Sequence, residues 1–183
     1  AGRTLRNRVL HASMTTRFIR GGALTDAFLA YHVSRARGGA AMTVTEPLGL
    51  LAGHPDPTRL DARPGCNRPA LERLAAAVEG LDCRLLGQVQ HAGGGRREQG
   101  RNTRAVGVSP LPDGLSWTVP HALSTSAVEE MILGFARGAA WLGECGFSGV
   151  EVSAGHGHLF HQFLSPQSNI RADRFGGDAA GRC

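Results

Sequence analysis

Apolar and polar residues alternate along this chain in two rhythms, one near two residues and one near 3.6. A short apolar run at 9–13 predicts a first strand. Thr25 is placed to cap a helix over 27–37, which Gly38 and Gly39 end. The run "AAMTVTE" at 40–46 predicts a second strand, and a loop rich in Pro, Gly and Asp follows over 47–68. Pro69 stands at the first position of a second helix, whose apolar stripe is Leu71, Leu74, Val78 and Leu81. "RLLGQVQ" at 84–90 predicts a third strand, and a polar, Gly-rich stretch fills 92–124. Ser126 and Glu129 make a capping box. The helix behind it repeats apolar residues at Val128, Met131, Ile132, Phe135, Ala139 and Leu142 and closes at Gly146. "FSGVEVS" at 147–153 is the fourth predicted strand.

The order β-α-β-α-β-α-β predicts an α/β domain with parallel strands. Both a doubly wound sheet and a (β/α)8 barrel fit it. A nucleotide-binding doubly wound sheet favours a Gly-rich turn after its first strand, but Ser13-Met14-Thr15-Thr16 stands there. "HAGGGRR" follows the third strand without G-x-G-x-x-G spacing and with no helix behind it. In a barrel the site lies at strand C-terminal ends. The polar residues there are Thr15, Glu46, Gln88, His91, Ser153 and His156.

Composition narrows the function classes. A chain of 183 residues with 42% apolar content suits one domain. No apolar run approaches the ~18 residues of a membrane span. The Arg-rich opening has no signal-peptide core, so the expected home is the cytoplasm. All 20 Lys+Arg positions are Arg, scattered beside one Tyr and two Trp, which argues against a nucleic-acid surface. Cys66, Cys83, Cys145 and Cys183 lack metal or disulfide spacing and read as free thiols. The Arg96, Arg97 and Glu98 run reads as a solvated loop.

The segment "VEVSAGHGHLFHQFLSP" at 150–166 holds His156, His158 and His161. An H-x-H pair in extended chain can face a metal. Here Gly155 and Gly157 loosen the backbone and no nearby carboxylate or Cys completes a zinc set, so no metal is expected.

Four stretches resemble one family. "LRNRVLHASMTTRF", "SRARGGAAMTVTE", "GQVQHAGG" and "CGFSGVEVSAGHGHLFHQFLSPQSNIRADRFGGDAAGR" are similar, in order, to motifs of the Old Yellow Enzyme-like NAD(P)H:flavin oxidoreductases. The resemblance covers nearly the whole chain. It implies a TIM (β/α)8-type barrel with FMN at the strand C-terminal ends, transferring hydride between NAD(P)H, the flavin and a small-molecule substrate, either an unsaturated carbonyl or an amine-type substrate. Some larger relatives add an iron–sulfur cluster, so a 4Fe-4S cluster in a further C-terminal region is compatible with it.

Roles carry over residue by residue. Thr15 matches a Thr whose hydroxyl bonds the flavin near C4=O and N5. Gln88 matches the Gln that reads the pyrimidine edge. Ser13, Met14 and Pro47 fall where the family backbone lines the ring. Ser13 replaces a usual Pro, and Pro47 replaces a usual Ala or Gly and has no N–H to donate. His156 matches one member of a pair that points donors at the acceptor's carbonyl oxygen. The other member is Ser153, and His158 stands where reductases keep a Tyr proton donor. These departures tilt the chain toward the demethylase and dienoyl-CoA reductase-like branches rather than the simple enone reductases. His161 is expected to be structural. Arg171, Asp173, Gly176, Gly177 and Arg182 match a salt-bridged family turn, with the glycines at positive φ.

The expected unit, 1–183, is the N-terminal half of the barrel: its first four strands. A fragment of a longer gene ranks first, since the chain starts at Ala1 without Met. Behind it stand a split barrel completed by a second chain and a homo-oligomer. Alone, the chain is expected to bind FMN poorly and be inactive. The alternative to an oxidoreductase is a degenerate half-barrel acting only as an assembly partner.

Overall fold

Four strands pair in parallel in the order in which the chain makes them: β1 (Leu10–His11), β2 (Met42–Pro47), β3 (Arg84–Val89) and β6 (Gly149–Val152). The computed structural model describes residues 4–51, 56–93, 105–112 and 119–183. Consecutive order without reversal is the barrel pattern; a doubly wound sheet reverses at a switch point. The topology therefore decides between the two architectures the periodicity allows.

By contacts the chain forms two units. One combines Ala1–Val89 with Leu133–Val152, the other Gln90–Ile132 with Ser153–Cys183. The first holds the parallel sheet with α1 (Asp26–Arg37) and α2 (Arg68–Glu79). The Thr25 hydroxyl accepts from Phe28 N–H at 3.2 Å, and Arg35 and Arg37 sit at the negative end of α1. Helix α2 begins one residue earlier than the Pro69 rule predicts. Arg68 is its first residue, and Asn67 precedes it in the left-handed region at φ 51°. Leu71, Leu74 and Val78 are buried as the stripe requires. Leu81 lies past the helix end and is only half-buried.

Helix α3 (Thr125–Glu144) also starts earlier than the predicted capping box. The Ser124 hydroxyl accepts from Ala127 N–H at 3.1 Å and is the cap, while Glu129 pairs with Arg174. Its buried positions are Val128, Met131, Gly138 and Leu142; Ile132 is exposed. Stepping by three and four from Val128 passes through Phe135 and leaves Ile132 outside. Gly87 on β3 admits Leu142, since a Cβ there would stand 2.6 Å from Leu142 Cδ1 and 2.9 Å from Leu48 Cδ1.

Behind β1 and β2 lies a polar cluster. The Thr43 hydroxyl is 3.1 Å from His11 Nδ1 and 3.0 Å from His32 Nδ1, and His11 Nε2 is 3.1 Å from the Tyr31 hydroxyl. His32 is buried, and its Nε2 has no hydrogen-bond partner among the described residues. A bare lone pair there costs less than a bare N–H, so the His32 proton belongs on Nδ1. Thr43 has one hydrogen to give, so the bonds run His32 to Thr43 to His11 to Tyr31. Burial, then the nearby His11 and Arg35, push the His32 pKa down to about 4.

The second unit contains a two-stranded parallel ladder within the polar, Gly-rich stretch 92–124, where the sequence pattern predicts no strand: β4 (Val106–Gly107) and β5 (His121–Ala122). It also holds α4 (Leu159–Leu164) and α5 (Ala179–Arg182). Arg96, Arg97 and Glu98 lie outside the described residues. Among the described residues no helix is long and apolar enough to cross a membrane.

Candidate functional site

In the first unit the site positions gather at the C-terminal ends of neighbouring strands. The β2–β3 register shifts between Val44 and Pro47: Val44 faces Leu86, and Pro47 faces Gln88. Strand β2 thus carries one extra residue, a bulge that re-aims its end. The Thr45 hydroxyl fills the gap in the ladder, accepting Gln88 N–H at 3.2 Å and donating to Glu46 O at 2.8 Å. Pro47 lacks an N–H and tolerates the bulge without leaving a donor unpaired. Leu48 N–H then donates to Gln88 O at 3.1 Å. The segment after β1 is tied to the same end, because the Thr16 hydroxyl donates to the Glu46 carboxylate at 3.0 Å. Ser13 is half-buried there, and Met14 and Thr15 are exposed. Gln88 Nε2 donates to Glu151 Oε1 at 2.7 Å. The sequence reading missed Glu151; its register opposite Gln88 on β6 is the signal that finds it.

In the second unit the segment after β6 makes a tight turn. Ser153, the first residue past the strand, is half-buried. His156 and Gly157 have φ of 61° and 70°, and His158 N–H closes on Gly155 O at 3.2 Å. Consecutive left-handed residues with that closure make a primed β-turn. The left-handed region costs a non-glycine residue of order 1 kcal/mol, so His156 stays there only under outside support. Helix α4 supplies it: Gly157 N–H donates to His161 Nδ1 at 2.9 Å, and Gln162 Nε2 donates to Gly157 O at 2.9 Å. The two glycines therefore do not leave a loose backbone. His161 has the structural task expected of it, but on the turn itself.

The rings of His156 and His158 lie 6.1 Å apart, tilted by 60°. His158 Nδ1 faces Ala92 O at 3.4 Å, and a carbonyl only accepts, so the neutral ring keeps its proton on Nδ1 and its lone pair on Nε2. Leu159 N–H bonds His91 O at 3.0 Å and holds the 91–93 loop to α4. Gly93 takes up φ 65° without strain, and a Cβ there would stand 2.6 Å from Gln162 Nε2, so the Gln162 amide would have to shift. Among the described residues no group of three or more His, Cys, Asp and Glu side chains could hold a metal.

The Arg171 turn is built as the resemblance implies, with one difference. Arg171 Nε donates to Asp173 Oδ1 at 2.8 Å, and its remaining donors reach Asp173, Val108 O and Leu123 O. The Arg171 guanidinium, then the Thr125 hydroxyl and Phe175 N–H, hold the Asp173 carboxyl far below the usual carboxylate range. Arg182 donates from Nε to Leu164 O at 3.0 Å. Gly177 has φ 74°, but Gly176 does not need positive φ. It is glycine because a Cβ would collide with Arg171 O.

The strand ends of the first unit suit the ring of a flavin. Thr15 presents a hydroxyl, Met14 an apolar face, and Gln88 a carbonyl oxygen able to accept from a ring N–H, its amide oriented by Glu151. Residues 2–183 match the NADH:flavin oxidoreductase / NADH oxidase family. A metal reductase of Desulforamulus reducens is 34% identical over 97% of this chain and 27% of its own length. An NADPH dehydrogenase of Listeria innocua is 33% identical over 98% of this chain and 53% of its own. The structure of morphinone reductase in complex with tetrahydroNAD superposes with a TM-score of 0.85 at 21% identity, covering 97% of this chain and 53% of that one. The chain thus spans about half the length, or less, of these relatives, and its sheet is part of a TIM-type α/β barrel. On the match across 2–183, the chain belongs to the NADH:flavin oxidoreductase / NADH oxidase family.

Proposed function

We propose that the protein carrying this chain is an FMN-dependent oxidoreductase with the net reaction NAD(P)H + H⁺ + acceptor → NAD(P)⁺ + reduced acceptor. The observation that carries this is the ordered set of strand-end residues Thr15, Pro47 and Gln88 within a chain matching the family over 2–183. When bound, FMN supplies the two-electron carrier between NAD(P)H and the acceptor. Ser13, Met14, Thr15, Pro47 and Gln88 are assigned to the flavin; Ser153, His156 and His158 to the acceptor. His156 and the Ser153 hydroxyl donate to an acceptor oxygen and stabilise the charge that builds on it. In its doubly protonated form His158 delivers a proton from Nε2, the ring nitrogen opposite the Nδ1 that faces Ala92 O, and returns to the neutral ring.

The acceptor class is an unsaturated carbonyl; an amine-type substrate, the other class kept by this reading, would instead be oxidised and pass its two electrons to the flavin. A cytoplasmic location belongs to the same reading, in keeping with four free cysteines. The remaining barrel strands are assigned to sequence beyond this chain or to a partner, and this chain alone is expected to retain little flavin. The test is purification of the complete protein followed by flavin absorbance and NAD(P)H oxidation. Stoichiometric flavin that Thr15→Ala and Gln88→Ala each weaken about five- to tenfold supports the reading. A complete protein that retains no flavin and oxidises no NAD(P)H refutes it. That result favours the second reading, an assembly-only half-barrel, toward which the missing N–H of Pro47 already points.

A further inference from the structure

We propose that His161 is a positioning residue that works as a pH-sensitive latch on the turn carrying His156 and His158. The latch stands on geometry alone; its service to an acceptor rests on the function proposed above.

A 3.2 Å backbone bond closes the turn at 155–158, which holds His156 in the left-handed region. Both polar groups of Gly157 are engaged by side chains of α4. Gln162 takes the carbonyl at 2.9 Å, and His161 Nδ1 takes the N–H at 2.9 Å. The two contacts differ in kind. An amide has no charge state to change near neutral pH, but an imidazole nitrogen accepts only while it carries no proton. The bonded His161 ring is therefore neutral, with its proton on Nε2. A second proton would set N–H against N–H, and the Gly157 amide would lose its acceptor.

The opposite tautomers of neighbouring rings make the coupling specific. His91 Nδ1 also accepts, from Gly93 N–H at 3.1 Å, whereas His158 Nδ1 faces a carbonyl at 3.4 Å. Protonating His158 leaves its Ala92 contact in place, while protonating His161 destroys its contact with Gly157. Among the described residues, the titratable and charged groups on the elements packed against α4 include His156 and His158 on the turn, His91 on the 91–93 loop, and Asp178 and Arg182 at the ends of α5. His161 is exposed, so protons reach it freely.

Two variants separate the latch from general support. His161→Asn puts Oδ1 where Nδ1 stands and cannot be protonated. His161→Phe keeps a ring and removes the acceptor. In the complete protein, NMR with labelled histidine and glycine follows the His161 ring and the Gly157 amide together across pH. Steady-state kinetics with NADPH and cyclohex-2-enone run in parallel. In the wild type the Gly157 amide should shift with the same midpoint as the His161 ring, and KM for the enone should rise about fivefold on the acid side, more than kcat changes. His161→Asn should abolish both dependences and keep the low KM. His161→Phe should show the high KM at every pH. A Gly157 amide indifferent to His161 titration overturns the proposal, and so does an unaltered KM profile in His161→Asn. If the complete protein turns over no enone, the function reading has failed on that point, and the amide titration in wild type and His161→Asn decides the latch by itself. Should His161→Phe not fold, the Asn variant suffices for the decision.

Discussion

Thr43→Val removes one hydroxyl from a buried site while keeping the side-chain shape. In the wild type that hydroxyl joins His32 Nδ1 at 3.0 Å to His11 Nδ1 at 3.1 Å. Valine ends both bonds, each worth about 0.5–1.5 kcal/mol net. It also leaves the His32 Nδ1–H buried without an acceptor, which costs about 1–3 kcal/mol more. Because the relaxed site recovers part of this, the expected loss is about 2–4 kcal/mol. The same cluster sets an acid limb. The His32 pKa falls from 6.5 in the unfolded chain to about 4 in the folded one, so between those values the unfolded state binds more protons. Stability from this group is complete above about pH 6.5 and is lost as pH falls toward 4, by about 3 kcal/mol in all. Urea denaturation of the complete protein followed by circular dichroism, at pH 7 and at steps down to pH 4.5, measures both effects. His32→Asn should flatten the acid limb. A Thr43→Val loss under about 0.5 kcal/mol, or an acid limb unchanged in His32→Asn, would refute the directed chain from His32 to Tyr31.

Three further outcomes follow from other contacts. Gly93→Ala forces a Cβ to 2.6 Å from Gln162 Nε2 at φ 65°, so thermal melting should show a loss of about 1–3 kcal/mol and the KM for an acceptor should rise with it. Arg171→Ala strips Asp173 of its guanidinium and leaves the Val108 and Leu123 carbonyls without that donor; because the pair is only part-buried, denaturation should show a loss of about 1–3 kcal/mol. Pro47→Ala restores a backbone N–H at the end of β2, and fluorescence titration of the complete protein should show flavin binding tightened about fivefold.

The parallel β-α rhythm was legible because helix and strand periods need only local spacing, as in Leu71, Leu74 and Val78 or in "RLLGQVQ". The polar strand-end residues were legible for the same reason, and the long motif ending at Arg182 identified the family. Other features depend on residues far apart in the chain, which periodicity does not connect. Gln88 meets Glu151 only because β3 and β6 pair in register, and one extra residue in β2 sets where Pro47 stands. His11, His32 and Thr43 read singly as unremarkable positions, and only the packing of α1 on β1 and β2 makes them one hydrogen-bonded chain. The short ladder of Val106–Gly107 with His121–Ala122 has too few residues to show a period. In the histidine segment, spacing marked the chemistry, but the left-handed turn and the opposite tautomers of His158 and His161 came from the backbone groups that meet each ring. Composition and period determine which elements form and what chemistry they carry. Register and contact decide which atoms meet, because a hydrogen bond forms only where its donor and acceptor arrive together.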